Sequence, residues 1–135
     1  MEINIEKWNK WANDSKFLFT GINLNRKIAF LIDTNENELI ILKKGQNEIN
    51  VSLLTNVKEV DEKTADILFE IKEEDVEKIL NDKNFSKFLE LTNKNEIKIY
   101  DLAGVKKLIK EGYEAFLSRI GININNTASS SCCCC

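Results

Sequence analysis

The side chains with the most chemistry to offer lie at one end of this sequence. Cys132, Cys133, Cys134 and Cys135 are contiguous and account for all four cysteines in the 135 residues, and Ser129, Ser130 and Ser131 come directly before them. A thiolate can serve as nucleophile, metal ligand or redox group. Contiguity narrows the choice. Adjacent Cα atoms stand about 3.8 Å apart, below the roughly 4.4–6.8 Å that a disulfide spans. Four consecutive ligands also surround a tetrahedral zinc ion poorly, because zinc sites space their cysteines. Loose thiolate binding of a soft ion such as Cu(I) stays open. So does an appended handle for thiol coupling. Lipid attachment at a terminal cysteine is a further reading, although the segment has neither the aliphatic middle residues of a prenylation box nor a basic cluster upstream. In the fifth reading the segment is itself a substrate. Ser, Thr and Cys carry a heteroatom one carbon from Cα, so attack on the preceding carbonyl closes an azoline ring. A dehydrated Ser or Thr can likewise accept a thiol as a thioether.

Little else in the sequence suggests catalysis. Without histidine there is no Ser-His-Asp or Cys-His arrangement, no imidazole metal site and no near-neutral imidazole base. Glu73, Glu74 and Asp75 are adjacent, so they fan around a helix start instead of converging on one bond. Asp101 beside Tyr100 reads as a helix cap. No calcium-loop spacing occurs, and the five glycines are isolated and form no phosphate loop. Lys106, Lys107 and Lys110 make a small basic patch interleaved with Glu111 and Glu114. The expectation is therefore a protein with no catalytic residues, no metal site and no cofactor. A formal net charge of −3 argues against nucleic-acid binding, which calls for a basic face. No run is long and apolar enough for a membrane span, and Met1–Trp11 lacks the apolar stretch of a secretory signal, so a cytoplasmic location is expected.

With 43% hydrophobic and 30% charged residues, the sequence should fold around a true core. Residues 3–14 place Ile5, Trp8, Trp11 and Ala12 on one helical stripe, an anchor onto a sheet. From Lys16 the period becomes two: Phe17 and Phe19, then Ile28, Phe30 and Ile32, then Leu39 and Ile41, then Ile49, Val51 and Leu53 read as four consecutive strands of an antiparallel meander. Ala29–Ile32 and Leu39–Leu42 are apolar on both alternations, which predicts strands covered on both faces or lining a cavity; Phe30, Ile41, Phe69 and Phe88 are candidates for that lining or for a solid core. Ala65–Ile71 is a further strand. Residues 73–81 form a helix, Asn84 caps a second short one with Phe85, Phe88 and Leu89, and Glu96–Tyr100 is the last strand. Asp101 is expected to cap one long helix reaching Ile120, stopped by Gly121 at the C′ position. Gly112 inside it allows either a close contact or a bend. The fold class is α+β: a mostly antiparallel sheet of five to six strands with helices on one face. Residues 1–121 form the domain, and 122–135 a flexible Ser/Cys-rich tail.

This order of elements resembles the sterol-carrier-protein type 2-like domain over about residues 8–120. Ala65–Ile71 followed by Lys72-Glu73-Glu74-Asp75-Val76 is similar to that family's strand entering a "DEDF"-like helix. Phe85–Leu89 and Glu96-Ile97-Lys98-Ile99 resemble its later helix and its "G-K-L-K-I-x-G" strand, with Asn95 and Asp101 standing where that motif has glycines. The resemblance implies an apolar cavity able to hold an acyl chain, and no catalytic residues.

Two functions follow as expectations. The leading one is a non-catalytic precursor or carrier: a partner tailoring enzyme recognises the folded leader and modifies Ser129–Cys135, and a protease acts later. The alternative is a protein that binds lipid or another apolar small molecule, with the thiol-rich tail for soft-metal binding or lipid anchoring.

Overall fold

The computed structural model describes residues 2–122, a five-stranded sheet packed against helices. The first helix, α1 (Ile5–Asp14), begins where the Asn4 Oδ1 accepts hydrogen bonds from the backbone N–H groups of Glu6 and Lys7 at 3.1 and 3.3 Å. Its stripe of Trp8, Trp11 and Ala12 is buried as the spacing predicts. Ser15 then donates its hydroxyl back to the Trp11 carbonyl at 2.6 Å, and the chain tightens into a 3₁₀ turn, Lys16–Phe19.

That turn corrects the first of the four strands. In a strand Phe17 and Phe19 would share a face, but here the adjacent Leu18 and Phe19 are buried and Phe17 is 55% exposed. Two cations take the carbonyls of this turn and the residues after it. Lys44 Nζ donates to the carbonyls of Phe19 and Ile22 at 3.1 and 3.0 Å. Arg119 donates to those of Leu18 and Thr20 at 3.0 and 2.6 Å. Cations suit the C-terminal end of a helical turn. Burial, followed by the nearby Arg119 charge, holds the Lys44 ammonium below the usual lysine range.

The meander therefore has three strands: β1 (Lys27–Ile32), β2 (Leu39–Lys44) and β3 (Ile49–Leu54). Residues 55–66 then carry the chain to the far side of β1, where β4 (Ile67–Ile71) pairs parallel with it, Phe30 opposite Phe69. The last strand, β5 (Lys98–Asp101), pairs antiparallel with β4, giving the order β3-β2-β1-β4-β5.

The apolar runs of β1 and β2 are covered on both faces. On one, Phe30, Ile32, Ile40, Leu42 and Phe69 meet the buried stripes of the helices. On the other, Ala29, Leu39, Ile41 and Leu68 lie beneath Val57, Val60, Ala65 and Leu102. The connection 55–66 thus takes the place of a second helical layer, while the helices stay on one face.

The helix starts differ from the caps expected at Asn84 and Asp101. Asp33 accepts from the Glu73 N–H at 3.0 Å at the start of α2 (Glu73–Leu80). Asp82, not Asn84, serves α3 (Ser86–Asn93), accepting from the N–H groups of Lys87 at 2.6 Å and Asn84 at 3.0 Å. Asp101 ends β5 and accepts from the Gly104 N–H at 2.7 Å, so it shapes the turn before the next helix instead of capping it. The single long helix is two, α4 (Val105–Lys110) and α5 (Tyr113–Arg119). Gly112 separates them at φ +87°, and a side chain there would strike the Gly21 carbonyl, so the bend and the close approach both occur. Gly121 stops α5 as expected: its N–H reaches the Ser118 carbonyl at 3.0 Å, and the Ile122 N–H reaches Leu117 at 2.8 Å, the paired bonds of a Schellman end. No helix among the described residues is long and apolar enough to cross a membrane.

Candidate functional site

Ser129, Ser130, Ser131 and Cys132–Cys135 lie outside the described residues, and the body that carries them ends at Ile122. Ile122, from which that segment departs, packs against the main core. Gly121 beside it lies so close to Asn93 that an added Cβ would strike that side chain.

Behind this exit the interior is aromatic. Phe30 and Phe69 stack with ring centres 5.3 Å apart, and Phe88 meets them at 6.0 and 5.4 Å. Trp8 and Trp11 close the group on Phe30 at 5.3 and 6.0 Å. These spacings are those of rings in direct contact. Ile41 does not join them, because it faces the other side of the sheet.

A cleft of about 350 Å³ lies between α1 and the α2–α3 connection, lined by Lys7, Lys10, Trp11, Leu80, Lys83 and Phe85 among others. The Trp11 Nε1 is buried and finds no hydrogen-bond acceptor among the described residues. Phe85 adopts φ +58°, a conformation that bulky side chains rarely take, and its ring sits 5.8 Å from that of the exposed Phe17.

The most connected polar group was not singled out in the sequence. Asp66, only 2% exposed, accepts from Arg26 Nε at 3.0 Å and Nη2 at 2.6 Å. It also accepts from the Tyr113 hydroxyl at 2.7 Å. Glu111 stands 3.4 Å from Arg26 Nη1. Burial, and then the hydrogen bond to Asp66, pushes the Tyr113 hydroxyl well above the usual tyrosine range, and the Asp66 hydrogen bond raises Arg26. The main chain of Asp66 is engaged as well: its carbonyl accepts from Leu102 and Ala103, and its N–H donates to Lys27. The group therefore ties β1, β4, the turn after β5 and the start of α5 together. Its partners are all occupied, so it fits a fastener better than an acid-base site. The available signal was a carboxylate set inside an apolar run, Ala65-Asp66-Ile67-Leu68-Phe69.

The candidate carboxylates of α2 diverge. Glu73 accepts from Thr34 at 2.7 Å, Asp75 turns inward within 3.7 Å of Lys78, and Glu74 is exposed. Among the described residues no three Cys, Asp or Glu side chains are grouped to hold a metal ion. Lys106, Lys107 and Lys110 are exposed on α4. Comparison with protein-family models, with curated proteins and with solved structures gives no match.

Proposed function

We propose that the chain is a non-catalytic precursor or carrier, with residues 2–122 serving as a recognition body and Ser129–Cys135 as the segment that a partner enzyme modifies. One observation carries this reading: every cysteine lies at positions 132–135, next to three serines, and none lies in the first 131 residues. Cysteine elsewhere is usually placed in cores or in sites. In the simplest step, a cysteine thiol attacks the preceding carbonyl carbon. A carbon–sulfur bond forms, the amide nitrogen becomes doubly bonded to that carbon, and the carbonyl oxygen leaves as water. The folded body supports the same division of labour, since its most elaborate polar group joins secondary-structure elements.

Co-expression of the full chain with the tailoring enzymes encoded beside its gene tests this. Intact-mass measurement should show the loss of one water per ring, mapped by fragmentation to residues 127–135. Four free thiols and an unchanged mass after such co-expression would refute it.

A second reading, uptake of an apolar ligand, is favoured by the cleft beside Trp11, Leu80 and Phe85. It predicts that a fluorescent fatty acid binds the full chain and is weakened by Phe85→Ser. Absence of binding removes it.

A further inference from the structure

The second face of the sheet carries a charge arrangement that the fold does not require. Lys27, Lys43 and Asn50 lie in one row across β1, β2 and β3. The Lys44 N–H donates to the Arg26 carbonyl and the Lys44 carbonyl accepts from Asn25, so the main chain of Lys44 faces β1. Lys43, one residue earlier, faces β3. Lys27 and Lys43 therefore form a non-hydrogen-bonded pair, the type in which opposed side chains come closest. Like charges placed directly opposite are unfavourable. Lys63, from the covering connection, lines the same concavity of about 440 Å³ with Thr64 and Ser52.

None of these three ammonium groups makes an ion pair or hydrogen bond with a described residue. Asp66, the carboxylate next to Lys27 across the sheet, is held by Arg26 and Tyr113. The chain has 22 acidic residues, yet none answers this row. Lysines on an edge strand deter unwanted pairing, but β1 and β2 are interior strands, so that explanation does not cover Lys27 and Lys43.

The row ends on Asn50 in the edge strand β3, beyond which no further strand lies among the described residues. Asn13 of α1 accepts from the Ile49 N–H at 2.9 Å and donates to the Ile49 carbonyl at 3.0 Å, so the main chain of Ile49 points away from β2. By the two-residue period, so do the main chains of Val51 and Leu53. A groove of about 580 Å³ runs there between α1 and β3, lined by Asn9, Asn13 and Val51 together with the charged Glu6, Lys10 and Glu48.

The geometry points to strand addition: an extended segment of the partner enzyme, acidic at alternate positions, pairs with Val51 and Leu53 and directs its carboxylates across Asn50 toward Lys43, the nearer lysine of the row. This deepens the precursor reading and rests on it for the partner's identity. Main-chain pairing supplies affinity in such complexes and the alternate side chains supply specificity. Charge selects this occupant over two others. A second copy pairing β3 with β3 would add its own lysine row to the first. The chain's own residues 123–135 contain no acidic side chain.

The test titrates the full, isotope-labelled chain with a six-residue capped peptide alternating threonine and glutamate, and with its lysine counterpart. Amide shifts are expected at Val51 and Leu53 and around Lys43, with the glutamate peptide favoured by about tenfold or more at low salt and the preference shrinking as salt is added. Lys43→Glu should remove that preference, and Leu53→Pro, which deletes one outward donor, should weaken binding about fivefold. Equal binding of both peptides, or shifts centred elsewhere, overturns the inference. A dimer in sedimentation that Leu53→Pro abolishes would assign the edge to a second copy. Val51 and Leu53 amides already protected from exchange in the free monomer would assign it to residues 123–135. Either result overturns the inference too. Peptide binding with no tail modification would sink the precursor reading alone, whereas tail modification indifferent to Lys43→Glu and Leu53→Pro would sink the docking surface alone.

Discussion

Replacing Asp66 probes the fastener between β1, β4 and α5 directly. Asp66→Ala removes three accepted hydrogen bonds, at 3.0, 2.6 and 2.7 Å. Bonds to a charged group contribute about 1.5–3 kcal/mol each, but simple addition overstates the loss here. The Arg26 side chain is 25% exposed and keeps Glu111 at 3.4 Å, and the Tyr113 hydroxyl keeps the Lys27 carbonyl at 3.2 Å. The expected cost is therefore about 3 kcal/mol, the lower end of the range for breaking a buried pair. For a domain of this size that lowers the melting temperature by about 10 °C. Chemical denaturation should show the midpoint falling with an unchanged slope. Asp66→Asn, which keeps the volume and loses the charge, should fall between the two, and a cycle with Tyr113→Phe should show a coupling of about 1 kcal/mol. A loss below about 1 kcal/mol, the level of a surface ion pair, would refute the idea that this group joins the elements.

Tyr113 gives a pH prediction. Its hydroxyl is held above the range it has in the unfolded chain, so its contribution is complete below pH about 10 and is lost as pH rises further, by about 1.4 kcal/mol per unit; denaturation of Tyr113→Phe across the same range should lack that component, and identical profiles would count against it. Gly112→Ala should cost about 3 kcal/mol or more, because a positive φ and the Gly21 carbonyl both oppose the new methyl; Gly104→Ala, with open space around it, should cost less in the same thermal melts. Phe88→Ala should cost about 3–5 kcal/mol by emptying the centre of the aromatic group, and a loss under about 1 kcal/mol would show that group to be loosely filled.

Much of the architecture was legible where a repeat of burial spanned a whole element. The Trp8 and Trp11 spacing marks α1, the alternations of β1 to β3 mark the meander, and the double-sided apolar runs mark strands covered on both faces. Errors arose where two or three residues had to carry a period. Phe17 and Phe19 fit a strand, but a 3₁₀ turn with Leu18 and Phe19 inside fits equally well, and the choice depends on Lys44 and Arg119, which arrive from distant sequence. The caps from Asp33 and Asp82 and the β1–β4 pairing are long-range or turn-geometry facts that no local pattern encodes. Gly112 was readable as an irregularity, whereas its partner, Gly21, was not. Of the candidate site, the Ser129–Cys135 composition is plain in sequence. The lysine row needs strand register, which only the pairing of β1 with β2 reveals.

The locked end of α5 has a metric consequence for any enzyme that works on the cysteines. Because the Ile122 N–H is bonded to Leu117 and its side chain packs on the core, the thirteen following residues start from a fixed point, not from a fraying helix. At about 3.3–3.6 Å per residue their contour is at most about 47 Å, which sets an outer radius. A catalytic centre must fall within that sphere while its enzyme grips the body, and the early thiols, nearer the fixed point, have a smaller radius than the last one.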